Sequence, residues 1–129
     1  MKLKSLSIAA LLGAGLLASA QAQTEIQWWH SMTAFNNEWV NTLAKEFNAS
    51  QKTYKVTPIY KGSYDESMTA AIAAFRAGNA PHILQVFEVG TATMMASKGA
   101  IVPAGKVMAD AGYKFDPNAY VAAVAGYYT

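Results

Sequence analysis

Glu88 is the charge best placed to meet a ligand. It stands at or just beyond the carboxyl end of the apolar run formed by Ile83, Leu84, Val86 and Phe87. An ionised carboxylate accepts hydrogen bonds from hydroxyl groups at about four lone-pair sites. Tyr64 offers an aromatic face and a phenolic hydroxyl. Together they suit a polyol or a sugar. Each also has a plainer reading. Glu88 is equally the cap of the following helix or a solvated acid, and Tyr64 a first-turn residue of a well-capped helix with no ligand. His30 can donate to an anion or a hydroxyl, but reads more readily as a satisfied structural histidine. His82, at a strand start, reads as structural or exposed. Met94 and Met95 read as core, as do Trp28 and Trp29, with one indole edge within reach of a ligand.

Enzyme chemistry finds little support. The sequence contains no G-x-S-x-G elbow, no G-x-x-x-x-G-K-[ST] loop and no H-E-x-x-H pair. Two histidines and no cysteine leave too few ligands for a zinc site, and no cofactor motif is present. Only one carboxylate falls at the expected site, so no acid/base pair is visible. The single arginine, Arg76, lies near the end of a helix, away from the strand ends. A phosphate group would find helix N-termini and Ser/Thr hydroxyls, without an arginine fork.

What places these residues is an alternation of strands and helices. Thr24–Trp29 is the first expected strand, with large apolar side chains on both faces, as a strand between helices requires. His30 and Ser31 follow it. The spacing of Trp39, Leu43 and Phe47, with Val40 and Ala44 beside them, predicts a core-facing helix over Thr33–Asn48. Tyr54–Tyr60 is the second strand. Pro58 inside it cannot donate to a ladder, which places the strand at a sheet edge. In the next stretch, Tyr60-Lys61-Gly62-Ser63-Tyr64-Asp65-Glu66, Gly62 permits a tight turn. Ser63 and Glu66 form a capping box for a helix whose stripe is Met68, Ala71, Ile72 and Phe75. Gly78 and Pro81 end that helix. His82–Phe87 is the third strand. A short helix begins at Gly90 and Thr91 and stops at Gly99. Another runs from Val102-Pro103 to Ala111. Asp116-Pro117 opens a last helix carrying Tyr120, Val121 and Val124. The order implies an α/β fold with a parallel sheet flanked by helices. Its strand ends share one rim, bearing His30, Ser31, Gly62 to Tyr64, and Glu88 to Thr91. Ligands of open α/β sheets bind at that rim.

The first residues follow a different plan. Lys2 and Lys4 precede an apolar stretch from Leu6 to Ala18, and A-x-A sites end at Ala20 and Ala22. This is the layout of a cleavable signal peptide over residues 1–22. The stretch is shorter than the roughly 20 apolar residues of a membrane span. Cleavage after Ala22, or alternatively after Ala20, delivers the protein to the periplasm. Without Lys2 and Lys4 the formal charge falls from +2 to zero, with eight basic and eight acidic residues left. Nothing in that balance points to nucleic acid. The chain is 129 residues long and 53% hydrophobic, enough for one domain at most. Its final Tyr127-Tyr128-Thr129 reads as the start of a strand, so a truncated reading frame is expected.

Several of these segments resemble a known family. Trp29-His30-Ser31-Met32, Tyr60-Lys61-Gly62-Ser63-Tyr64, the run from Ala71 to Pro81, and above all the stretch Phe75 to Lys98, are similar to the family 1 extracellular solute-binding proteins of ABC importers. The resemblance covers essentially all of residues 23–129. It implies a periplasmic-binding-protein-like fold of two α/β lobes closing on ligand, with residues 23–129 as the N-terminal part of lobe 1. The implied ligand is glycerol-3-phosphate or a glycerophosphodiester, and the implied partner an inner-membrane ABC permease complex. The family's contact tyrosine in the Gly-x-Tyr turn and its glutamate before Val-Gly-Thr fall on Tyr64 and Glu88. A sugar- or oligosaccharide-binding member of the same family is the alternative ligand class, and a non-functional gene fragment the alternative of another kind. With one partial wall of a two-lobed site, binding is expected to be weak or absent, and an open sheet edge to favour aggregation.

Overall fold

The structure is a computed structural model that describes residues 22–125 apart from residue 115. The expected signal peptide, apart from residue 22, and the expected terminal strand lie outside the described residues. Three strands, β1 (Thr24–His30), β2 (Tyr54–Tyr60) and β3 (Ile83–Leu84), form a parallel sheet in the order β2-β1-β3. Around it run α1 (Ala34–Ser50), α2 (Tyr64–Arg76), α3 (Glu88–Ala96), α4 (Ala104–Asp110) and α5 (Ala122–Ala125). This is the α/β, parallel-sheet arrangement that the alternation predicts, and it is consistent with part of a periplasmic-binding-protein lobe.

Strand β1 pairs on both sides. Thr24 to His30 match Tyr54 to Tyr60 residue for residue, and Trp28 and Trp29 match Ile83 and Leu84. Among the described residues β2 is an edge strand, as Pro58 requires. Its outer edge is engaged by side chains from the end of α1. Asn48 donates to the Val56 carbonyl at 2.8 Å and accepts from the Val56 N–H at 2.7 Å. Gln51 accepts from the Thr53 and Tyr54 N–H groups and donates to the Tyr54 carbonyl, each at 2.7 Å.

The helix α1 departs from expectation in the face it buries. Val40 and Ala44 are buried, whereas Trp39, Leu43 and Phe47 remain 37–56% exposed. The smaller side chains allow close approach to the sheet and displace the larger ones to the flank. There Leu43 and Phe47 join Ile26, Trp28, Tyr54 and Val56 around an apolar groove of about 400 Å³. The helix also runs two residues past Asn48, and β1 includes His30.

The third strand is shorter than expected. Only Ile83 and Leu84 are strand, and one further ladder bond joins the Gln85 N–H to the Trp29 carbonyl at 2.9 Å. The chain then leaves the sheet. Helix α3 begins at Glu88 rather than at Gly90, with Phe87 as its N-cap residue. The last expected helix is two pieces, a 3₁₀ turn at Pro117–Ala119 and then α5, because Tyr120 is extended. Asp116 caps the first piece by accepting from the Asn118 N–H at 2.9 Å.

The capping box of α2 is present in full. Ser63 Oγ accepts from the Glu66 N–H at 3.3 Å, and Glu66 Oε2 accepts from the Ser63 N–H at 2.7 Å. The bond from the Ser63 N–H, and after it a 2.9 Å bond donated by the Ser63 hydroxyl to the same Oε2, hold the Glu66 carboxyl below its usual pKa. Ser63→Ala is expected to destabilise the fold by about 1 kcal/mol. A urea midpoint unchanged by the substitution refutes that.

Helix α1 starts under strain. Ala34 has φ of 47°, a left-handed conformation that costs a residue with a Cβ roughly 1 kcal/mol. Ala34→Gly is therefore expected to stabilise the fold by a similar amount in urea denaturation, despite the lower helix propensity of glycine. A loss of stability instead would show the strain to be absent.

Candidate functional site at the strand-end rim

The carboxyl ends of β1 and β2, together with the turn after Gln85, gather the residues singled out in the sequence. His30 ends β1 and is 1% exposed. Its ring sits between those of Trp28 and Tyr60, at centroid distances of 6.2 and 6.1 Å. Its Nδ1 accepts from the Met32 N–H at 3.3 Å, which assigns the ring proton to Nε2. Burial lowers its pKa below the ordinary 6.5. His30 is thus a structural, neutral histidine, the plainer of its two readings. His82 is exposed, and its Nδ1 accepts from the Gln27 N–H at 3.1 Å.

Beside His30 the rim is tied together by backbone. The Lys61 N–H donates to the His30 carbonyl at 2.9 Å, and the Ser31 N–H donates to Gln85 Oε1 at 3.0 Å. Lys61 Nζ lies 3.9 Å from the centre of the Trp29 ring, a cation–π contact. Trp29 is buried, whereas Trp28 is half-buried at the groove beside α1. Of the two methionines, Met94 is buried and Met95 is 70% exposed, so only one of the pair belongs to the core.

Gly62 makes the turn into α2 with φ of 83°, in the left-handed region that glycine alone enters freely. Tyr64 follows as the first residue of α2. Its ring stacks on Phe87, with centroids 5.3 Å apart and planes at 28°. Glu88 is the next residue after Phe87, in the first turn of α3. The stack therefore brings the two expected ligand residues to neighbouring positions on one rim. Tyr64 is 37% exposed and Glu88 is exposed. Among the described residues neither the Tyr64 hydroxyl nor the Glu88 carboxylate has a hydrogen-bond or ion-pair partner. Glu88 makes no side-chain cap bond, although its charge at a helix N-terminus is favourable.

Arg76 lies in the last turn of α2, at the opposite end from Tyr64, as its position in the sequence requires. It borders a wider groove of about 840 Å³ between α2, α3 and α4, which includes neither Tyr64 nor Glu88. Lys61, Gln85 and Phe87 are rim residues that no motif in the sequence marks as functional. A glutamine inside an otherwise apolar strand run was the available signal for Gln85. For Phe87 the signal was an aromatic immediately before the helix that carries Glu88.

No protein-family model matches the chain. Curated relatives do match, and they are periplasmic binding proteins. In particular they are sn-glycerol-3-phosphate-binding periplasmic proteins. The chain is 48% identical over 127 residues to that of Rhizobium meliloti, covering 98% of this chain and 30% of the relative. It is 52% identical over 127 residues to that of Brucella suis, covering 96% and 29%. With that of Escherichia coli O1:K1 it shares 54% identity over 118 residues, covering 92% and 27%. Over nearly its whole length the chain is thus a relative of these proteins, and it spans about 30% of the length of the first of them.

The buried His30 gives a pH signature. In the folded chain its pKa lies below 6.5, so below that pH the unfolded chain binds a proton that the folded one refuses. Stability from this residue is complete above about pH 6.5 and is lost as the pH falls toward the folded pKa. The thermal unfolding midpoint is expected to drop between about pH 7.5 and 5.5, with the His30 ring titrating below 6.5 by NMR. A His30 titration at or above 6.5 contradicts this.

Proposed function

We propose that this chain forms part of the periplasmic solute-binding component of an ABC importer, capturing sn-glycerol-3-phosphate and glycerophosphodiesters for transport across the membrane. In this reading Tyr64 and Glu88 are ligand-binding residues, and the loaded protein hands its ligand to an inner-membrane ABC permease complex. Residues 1–22 act as the export signal, and residues 23–129 belong to lobe 1. The protein performs no catalysis.

The observation that carries the reading is the unengaged pair at the rim. A carboxylate and a tyrosine at the starts of two helices on one rim have no hydrogen-bond partner among the described residues, in a chain about half identical to proteins named for glycerol-3-phosphate. Their chemistry fits the glycerol end of such a ligand. Glu88 accepts from its hydroxyls, and Tyr64 packs against its carbon chain or hydrogen-bonds it. The phosphate end calls for cationic or N–H donors, and Arg76, at the far end of α2, is out of place for it. A phosphate site is therefore assigned to residues other than this pair.

NMR titration of the full chain with glycerol-3-phosphate is the test, carried into the high-millimolar range because one wall of a cleft binds weakly. The Tyr64 and Glu88 resonances are expected to shift. Glu88→Ala is expected to weaken binding by about tenfold or more, the loss of a charged hydrogen-bond acceptor. Stronger binding of a maltose-type sugar than of glycerol-3-phosphate would move the assignment to sugar import. An affinity indifferent to Glu88→Ala would remove Glu88 from the site.

A further inference from the structure

We propose that Phe87, seated against Gly90, is a positioning residue that fixes Tyr64 and Glu88 as one ligand-facing unit. The proposal rests on Tyr64 and Glu88 being ligand contacts, but the geometry behind it stands by itself. Phe87 is attached to both. Its ring stacks on Tyr64 at 5.3 Å, and its backbone leads directly into Glu88 as the N-cap residue of α3. Its carbonyl accepts from the Gly90 N–H at 3.0 Å and from Thr91 Oγ1 at 3.2 Å, which fixes its backbone to the first turn of that helix. One residue thus links the start of α2 to the start of α3.

Gly90 makes the seat. It is buried, and a Cβ there would come within 3.1 Å of Phe87 Cε1 and 3.2 Å of Val86 Cγ1. It would also come within 2.8 Å of Met68 Sδ, on the same helix as Tyr64. Met68 is flexible and can yield, but the half-buried Phe87 ring, stacked on Tyr64, must give by a few tenths of an ångström. A methyl group at position 90 therefore displaces the ring, and with it the surface on which Tyr64 lies.

The consequence for binding is entropic. An aromatic side chain that is over one-third exposed keeps several rotamers unless something holds it. The stack selects one of them before the ligand arrives. Without it, ligand binding must order Tyr64, and the cost of ordering appears as lost affinity.

The test uses the full chain with Phe87→Leu, Phe87→Tyr and Gly90→Ala, and two readouts. One is the ring-current shift of the Tyr64 ring protons without ligand. The other is the affinity for glycerol-3-phosphate by NMR titration. Phe87→Leu is expected to abolish the ring-current shift and weaken binding about three- to tenfold, the worth of a stacked pair. Phe87→Tyr restores both to within about twofold. Gly90→Ala moves the Tyr64 ring shifts and weakens binding even though alanine is the better helix former. Phe87→Leu with unaltered Tyr64 shifts, or with altered shifts and unaltered affinity, overturns the proposal. So does Phe87→Tyr behaving like Phe87→Leu. If the unsubstituted chain takes up no glycerol-3-phosphate, the functional reading falls. The ring shifts, which need no ligand, then decide whether Phe87 holds Tyr64. If Phe87→Leu fails to fold, Gly90→Ala decides by the same two readouts.

Discussion

The structure depends on β1 being paired along both edges by parallel neighbours. A parallel ladder aligns every strand in one direction, so connections must cross back over the sheet and strand ends collect on one side. That constraint puts His30, the turn after Tyr60 and the start of α3 on a common rim. It also explains the burial of β1. Its last two residues, Trp29 and His30, are buried, while its first ones are exposed. The most buried part of this strand lies directly beneath the rim. The Lys61 and Gln85 bonds to β1 backbone then lock the two flanking loops to the same strand end.

The turn at Gly62 gains from this arrangement. Alone, it is a well-capped helix start of a kind found on many surfaces. Against β1 it becomes one side of a shallow wall whose other side is the start of α3. The two sides meet through a stacked aromatic pair, and the Tyr64 hydroxyl and Glu88 carboxylate have no partner among the described residues. The electrostatics agree with the packing. Glu66 is spent on the cap, with its carboxyl acidified by Ser63, so it leaves the neighbouring rim to Glu88.

The sequence foretold the parts of this fold that are governed by local rules. The Ser63–Glu66 box, the edge position required by Pro58, the helix stop at Gly78 and the cap at Asp116 each depend on a few neighbouring residues, and all are present among the described residues. The place of Tyr64 at a helix start was legible for the same reason, whereas Glu88, expected at the end of a longer strand, instead opens α3 beyond the end of β3. Whether they contact ligand is a separate matter that rests on chemistry and likeness. What was not legible depends on distant partners. The face α1 buries is settled by how closely a helix can approach the sheet, which favours Val40 and Ala44 over Trp39 and Phe47. The shortness of β3 is likewise non-local. Val86 and Phe87 have strand-like side chains, but the chain leaves the ladder after Gln85 to bring Phe87 over Tyr64. Periodicity alone does not see either choice.

The amide hooks of Asn48 and Gln51 give the sheet a direction of growth. They occupy the outward-facing backbone groups of Val56 and Tyr54, the groups another strand would use to pair with β2. A strand joining on that flank must first strip the hooks from the edge, exchanging satisfied bonds for equivalent ones at no gain. The β3 flank carries only two strand residues and has no comparable hooks among the described residues. The sheet is therefore one-sided in its capacity to extend. A further strand would meet fewer side-chain bonds to displace beside β3 than at the proline-bearing edge.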